Sequence, residues 1–335
     1  MITYSIIIVN YKTPQLVTDC LQTIYAQNTS QDFEIIIVDN NSGDDSQRRI
    51  VSHYPQVKWI QMDYNSGFAR GNNAGIKAAK GNVVLLLNSD TLIEEDAIQQ
   101  CYLRLTATDH IAAGVQLLNL DRSPQISGNF FMTGGLNHLM TLPYTGRVIR
   151  AIGLLLKVKK TNIANATSTV DVDWINGAFL MVRKSACDTA GLLDEDFFLY
   201  AEEIEWCSRL KKMGRLCIYG DLHVVHLMGA TTSKTFKSKS TGYTELSDRK
   251  GFQLIISGLL RIRKQFGSAW FLFHLLGYLF TIPIALVATV FKTPFVMTRA
   301  GEEWRSWWGF TKNAVKALGY MPKIIANKPH FYKVL

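Results

Sequence analysis

The sequence predicts an α/β fold, a mostly parallel sheet with helices on both faces, followed by an apolar helical extension. Three observations carry this expectation. Short, uniformly apolar runs recur through the first half of the chain and alternate with helical patterns. Each run stops at a cluster of Asn, Asp or Ser, as strands buried on both faces do where they reach a ligand-facing sheet edge. A single longer apolar run stands near the C-terminal end with basic residues on either side.

Ser5–Val9 (SIIIV) reads as the first strand and ends at Asn10-Tyr11. Pro14 then opens a helix, a tolerated position because the first N–H has no intrahelical partner. Glu34–Val38 (EIIIV) is a second strand and runs into the polar turn Asp39-Asn40-Asn41-Ser42-Gly43-Asp44 before another helix. Val57–Gln61 is a third. In the next segment Gly67, Gly71 and Gly75 recur every four residues and share one helix face. That face suits either close packing on the sheet or, with Arg70, Asn72 and Asn73 beside it, a helix end turned to phosphate. The spacing is not G-x-G-x-x-G, so no dinucleotide site is expected.

Val83–Thr91 (VVLLLNSDT) is the pivotal stretch: five apolar residues lead directly into Asn88, Ser89 and Asp90. A carboxylate at a sheet edge, with an amide and a hydroxyl beside it, suits a hard divalent cation carrying phosphate oxygens. The same residues also suit a cap ahead of the helical pattern Glu94–Leu105. A strand follows at Ala112–Leu118. From Asp121 to Thr169 periodicity fades, and a long irregular insertion, partly disordered, is expected around the apolar-basic patch Val148–Lys160. Val170–Arg183 is strand-like, with Gly177-Ala178 as a point of close approach.

A helix beginning near Glu202 places Glu202, Glu203 and Glu205 in its first turn, where the helix dipole favours anions. Beside Phe197, Phe198 and Tyr200 one of these acids also suits a general base, because apolar surroundings raise a carboxyl pKa. Leu216–Tyr219 and His223–Val225 read as strands ending at His226. That imidazole can complete a cation site with Asp90, and suits Mn²⁺ better than Ca²⁺.

Gly242–Phe266 reads as a basic amphipathic helix. Ala269–Phe291 would reach about 34 Å as a helix, enough for a bilayer core. It contains His274 and Pro283, which leaves three arrangements open: a kinked span, a re-entrant hairpin breaking at Pro283, or helices lying in the interface. Trp304, Trp307 and Trp308 suit the headgroup region. The net charge is +9. Its basic excess flanks the apolar run, which points to anionic lipid rather than nucleic acid. The five cysteines form no C-x-x-C pair, as in a reducing compartment. The first residues lack a signal-peptide pattern.

Taken together, SIIIVNYK, EIIIVDNNSGD, NSGFARGNNAG, LLLNSDT, WINGAFLMVR, LDEDFFLYAEEIEWCSRL and HLMGAT, in this order, resemble glycosyltransferase family 2, in particular its bacterial rhamnosyltransferase-like members. The resemblance covers about Ser5 to Thr231 and implies a Rossmann-like GT-A domain, placed at residues 1–232, a nucleotide-diphosphate sugar donor, a divalent cation (Mn²⁺ or Mg²⁺) and inversion at the anomeric carbon. Patterning adds 121–169 as an acceptor-side insertion and a basic, membrane-associated helical region over 233–335, whose apolar run motivates a glycan or lipid-linked acceptor at the cytoplasmic face of the membrane. By position, Asp39 matches the acid that holds the base, with Val9, Asn10 and Tyr11 lining base and ribose. Asn65, Gly67, Arg70, Asn73, Asn88, Trp174 and Gly177 match residues bordering the sugar nucleotide. Asp90 and His226 match the metal ligands; Asn88 stands where the family's Asp-x-Asp motif has its first acid, and Thr231 where a serine follows the histidine. The base of the family's Glu-Asp motif falls on Glu203, with Glu202 as its rival. Dinucleotide chemistry is excluded above, and a nucleotidyltransferase would want a Gly-rich loop after the first strand, which Asn10–Pro14 lacks. A catalytically silent nucleotide-sugar-binding or scaffold protein is the alternative.

Overall fold

The structure, a computed structural model, describes residues 2–27, 32–158, 161–227, 245–327 and 331. The chain divides into two compact units. The first comprises Met1–Phe130, Asn162–Phe198 and Glu202–Thr231; the second comprises Phe131–Thr161, Leu199–Ala201 and Thr232–Leu335. Most of the insertion therefore clusters with the C-terminal helices.

The first unit is built on strands β1 (Tyr4–Asn10), β2 (Phe33–Asp39), β3 (Lys58–Gln61), β4 (Val83–Leu87), β5 (Thr91–Ile93) and β6 (Ala112–Leu118). Further strands are β7 (Gly128–Asn129), β8 (Asn162–Ile163), β9 (Thr169–Val172), β10 (Trp174–Ile175), β11 (Phe179–Arg183) and β12 (Leu216–His226). The main sheet runs β3-β2-β1-β4-β11-β6-β12-β5, with β9 also on β12; β10-β7-β8 form a small second sheet. From β3 to β4 all pairs are parallel. Beyond β4 the sheet is mixed: β11 is antiparallel to both β4 and β6, while β12 is parallel to β6 and antiparallel to β5 and β9.

Strand alternation divides the core into two layers. Ile6, Ile8, Ile35, Ile37, Leu85 and Leu87 face Val17, Cys20, Leu21 and Ile24 of α1 (Pro14–Gln27), Ile50 of α2 (Ser46–His53), and Ile98 and Leu105 of α4 (Ala97–Ala107). Ile7, Ile36, Val38, Val84 and Leu86 face the other way, with Ala69 and Ile76 of α3 (Gly67–Ala78), Cys187 of α6 (Lys184–Ala190), and Trp206 and Leu210 of α7 (Glu202–Leu210). Each such fully buried aliphatic side chain contributes about 1.5–3 kcal/mol.

Three local expectations are corrected. Val170–Arg183 is not one strand but three, β9, β10 and β11. Leu216–Val225 is one strand rather than two, with a register shift between Tyr219 and His223. The insertion, expected to be partly disordered, holds β7, β8, a 3₁₀ segment (Thr133–Thr141) and the helix α5 (Thr145–Leu155).

In the second unit, α8 (Arg249–Phe266) is followed by α9 (Ser268–Lys292), α10 (Ala300–Leu318) and α11 (Met321–Ile325). The start expected for α8 at Gly242 lies outside the described residues. Gly267 separates α8 from α9 with φ +92°, a conformation that favours glycine. The helix α9 continues through Pro283, so the expected option of a hairpin breaking there is not what forms. It runs antiparallel to α10: Tyr278 stacks on Phe310, Trp307 donates to Ile282 O (3.2 Å), and Lys292 pairs with Glu303 (2.5 Å).

Candidate functional site

The parallel register sets Asn10 opposite Asp39 at the carboxyl ends of β1 and β2. Both are buried. Asp39 Oδ1 accepts from Asn10 Nδ2 (2.6 Å) and Ser42 Oγ (2.6 Å), and its Oδ2 accepts from Ser42 N–H (2.9 Å) and Gln61 Nε2 (2.9 Å). Four donors fix the orientation of this carboxylate. It edges a cavity of about 380 Å³ shared with Asn41, Asp44, Gln47, Trp59, Gln61 and Met62. The same cavity does not reach Asp90 or Glu203. Tyr11 is half-buried beside it in sequence, and the Lys12 ammonium lies 5.5 Å from the Tyr11 ring.

Asn40 ties this end of the sheet to the start of α3. Its Oδ1 accepts from Ser66 N–H (2.8 Å) and Oγ (2.9 Å), and its Nδ2 donates to Asn65 Oδ1 (2.9 Å) and Gly67 O (3.0 Å). Gly67 has φ +84°, and a Cβ there would lie 2.1 Å from Phe198 O. Only glycine lets the helix begin this close to the segment that leads towards α7. Gly71 and Gly75 press on Val9 and Ile7 of β1, so the shared glycine face packs on the sheet. Arg70 turns to Ser66 O (3.4 Å) and to Glu195 (3.8 Å). Asn73 is buried, with its Nδ2 on Leu193 O (2.9 Å) and Glu195 Oε1 (3.0 Å) and its Oδ1 accepting from Leu193 N–H (3.0 Å). Asn73 thus positions the 193–195 loop rather than presenting a free amide.

Asp90 and His226 are both buried, and Asp90 Oδ1 lies 3.4 Å from His226 Nε2. Strand pairing brings them together, since β12 lies against β5 with His226 opposite Thr91. Asn88 Nδ2 is also 3.4 Å from Nε2. The other ring nitrogen, Nδ1, meets Gln125 Oε1 (2.9 Å), while Gln125 Nε2 donates to His226 O (2.7 Å). With its amide nitrogen so used, Gln125 presents an acceptor, which assigns the proton to Nδ1 and leaves the Nε2 lone pair facing Asp90. A carboxylate oxygen and a bare imidazole nitrogen facing each other fit a divalent cation. The spacing is near the edge of about 3 Å expected between adjacent ligands at about 2.1 Å from an octahedral ion. Among the described residues no group of three or more His, Cys, Asp or Glu comes together to hold a metal ion. The matched Thr231 lies outside the described residues.

Glu202 and Glu203 begin α7. Glu202 is buried, its Oε2 has no hydrogen-bond partner among the described residues, and burial, then the neighbouring Glu203 charge, pushes its carboxyl well above the usual range. Glu203 is half-buried. Glu205 is committed elsewhere, to an ion pair with Arg209 (2.8 Å). A Cβ on Gly177 would touch Glu203 at 3.4 Å, so glycine there leaves room for that side chain. The next residue, Ala178, accepts from Asn88 N–H through its carbonyl (3.0 Å). The turn carrying Asp90 and the side chain of Glu203 thus flank one Gly177–Ala178 corner. Trp174 is half-buried against the inner core.

Sequence reading missed Gln125, Asn40, Gln61 and Glu195. Their role depends on partners distant in sequence, and glutamine and asparagine carry no periodic signal. For Asn40 alone there was a cue, its place in the polar turn after β2.

Residues 5–137 match Glycosyl transferase family 2. The chain is 31% identical over 214 residues to the low-salt glycan biosynthesis hexosyltransferase Agl10 of Haloferax volcanii, covering 62% of this chain and 61% of that protein. It is 25% identical over 233 residues to the rhamnosyltransferase WbbL of Escherichia coli, covering 66% of this chain and 82% of that one. Among solved structures, the mannosyltransferase PcManGT of Pyrobaculum calidifontis, in complex with GDP-Man and Mn²⁺, aligns with a TM-score of 0.53 at 16% identity, over 98% of this chain and 87% of that one. The fold is GT-A. The match thus spans about six tenths of the Haloferax relative's length.

Proposed function

With a glycosyltransferase family 2 domain at residues 5–137 as the premise, we propose that this chain transfers a sugar from a nucleotide-diphosphate donor to a hydroxyl of a glycan or lipid-linked acceptor, with inversion. The observation that carries the reading is the Gly177–Ala178 corner, with Asp90 and His226 near one side and Glu203 on the other. Asp39, with Asn10 and Tyr11, holds the nucleoside, and Asp90 and His226 would hold Mn²⁺ or Mg²⁺. That ion, when bound, supplies neutralisation of the diphosphate charge that grows as the glycosidic bond breaks.

Glu203 takes the proton from the acceptor hydroxyl. The hydroxyl oxygen bonds to the anomeric carbon as the carbon–oxygen bond to diphosphate breaks, and the electron pair leaves with the diphosphate. No second carboxylate is needed as acid, because diphosphate departs unprotonated. Glu202 is the poorer candidate: it is buried, whereas Glu203 is half-buried and lies against the Gly177–Ala178 corner. The hexosyltransferase and rhamnosyltransferase names of the two relatives make hexose and L-rhamnose nucleotides the donors to try first.

The acceptor sits at a membrane in this reading, at the cytoplasmic face. One helical segment, Ser268–Phe295, is long and apolar enough to cross a bilayer. Its packed neighbour α10 carries Glu302, Glu303, Arg305, Lys312 and Lys316. Placing each of these at a bilayer centre costs about 2.5–3.5 kcal/mol, which favours helices lying in the interface over a span.

The test is a donor panel with Mn²⁺ or Mg²⁺ and a lipid-linked acceptor, reading nucleoside diphosphate release and product anomer. Release that drops about 10²–10⁴-fold in Glu203→Gln supports the reading. No release with any donor, or an unchanged rate in Glu203→Gln, favours the silent binding protein.

A further inference from the structure

The helix α5 (Thr145–Leu155) is unusual for a surface helix. Of its eleven residues Gly146 alone is buried. Val148, Ile152 and Leu155, spaced i, i+4 and i+7, share a face and are 57%, 49% and 82% exposed. Leu154 and Leu156 are more than two-thirds exposed as well. Arg147, Arg150 and Lys157 accompany them, all exposed. From Arg122 to Val170 the sequence contains neither Asp nor Glu. In water such a face is left without a partner, and its charge is of one sign.

The start of α5 lies on α9, where Thr145 Oγ1 meets Thr281 Oγ1 (2.9 Å). That helix has an apolar stripe of its own: Phe273, Leu276, Phe280, Val287 and Phe291 are exposed. One unit thus presents two neighbouring helices with uncovered apolar faces. The basic residues of α5 select the occupant, because an anionic bilayer offers both an apolar interior and phosphate oxygens.

We propose that α5 is a second membrane-contacting element, lying on an anionic lipid surface with Val148, Ile152 and Leu155 in the headgroup–acyl boundary and Arg147, Arg150 and Lys157 on lipid phosphates. This rests on the membrane reading of α9 and extends it to the insertion.

The experiment is flotation of the full chain with phosphatidylcholine vesicles, with and without phosphatidylglycerol. The variants are Ile152→Glu with Leu155→Glu, Arg147→Gln with Arg150→Gln, and, as a control on α9, Phe280→Glu with Phe291→Glu. All six positions except Arg147 and Arg150 are exposed apolar side chains, and the two arginines are exposed too, so folding, checked by circular dichroism, is expected to persist. Binding to anionic vesicles is expected to fall about tenfold or more in both α5 variants, with the arginine variant nearly unchanged on phosphatidylcholine alone. Wild-type binding in both α5 variants, with loss in the α9 variant, overturns the proposal and leaves the membrane reading intact. A wild type that binds no vesicle overturns both. A wild-type dimer by sedimentation that Ile152→Glu with Leu155→Glu dissolves, without effect on vesicle binding, gives the face to a second copy and also overturns it.

Discussion

Glu202 and Glu203 are adjacent in sequence and differ in what surrounds them. Glu202 is buried with one oxygen unpartnered among the described residues, and its carboxyl is pushed up from the ordinary 4.5. A raised folded-state pKa means that the native protein holds this proton more tightly than the unfolded chain does. Stability from Glu202 is therefore full below the ordinary value and is lost as pH rises through the folded one. Thermal melts across pH 4–8 are expected to show Glu202→Gln losing less stability on the alkaline side than wild type does; parallel profiles would contradict the assignment. Gln125 acts at the same scale through His226, fixing which ring nitrogen carries the proton. Gln125→Leu is expected to weaken Mn²⁺ binding about 10–100-fold, read by Mn²⁺ paramagnetic resonance with nucleoside diphosphate present, while the melting temperature moves much less. This residue was invisible in the sequence because it lies where periodicity had faded, and its importance comes from a contact 101 residues away.

At the scale of elements, Gly67 and Gly267 separate two effects that are often confounded. Both have positive φ, but a Cβ on Gly67 would collide with Phe198 O at 2.1 Å, whereas one on Gly267 meets nothing within 4 Å. Gly267, with φ +92° and ψ 179°, lies in a region used almost only by glycine, and Gly267→Ala is expected to cost about 1–3 kcal/mol from backbone strain alone. Gly67→Ala adds a clash with a main-chain atom and is expected to cost more, with urea titrations comparing the two. Equal losses would show that the segment around Phe198 yields freely. The four-residue glycine spacing was readable beforehand, and so were the strands β1, β2 and β4, because uninterrupted apolar runs of four or five residues bounded by polar clusters have few other uses. The helix α5 was not readable: most of its apolar positions stay exposed, and two left-handed glycines, Gly134 and Gly135, break the pattern ahead of it. The reversal at β11 was not readable either, because strand direction leaves no mark in composition.

Across the whole chain, all five cysteines are buried free thiols. Burial pushes Cys20, Cys187, Cys207 and Cys217 up to about 12, so they stay as unreactive thiols. A colorimetric thiol titration is expected to find essentially none accessible in the native protein and five after denaturation; a rapidly reacting thiol in the native protein would reveal a local opening. The order of α/β elements in the first half of the chain could be anticipated from hydrophobic patterning. That residues 131–161 belong with the helices could not, since it follows from contacts far apart in the chain.

The hydrogen bond from Asn88 to Ala178 has a wider consequence. It extends a ladder in which Leu87 faces Phe179, so the turn carrying Asp90 is tied by main-chain pairing to the Gly177–Ala178 corner against which Glu203 lies. Insertions or deletions in the linkers at Glu94–Asp96 or Asp121–Ser123 are expected to leave that tie in place. The surrounding loops are therefore free to vary in length while this junction keeps its register.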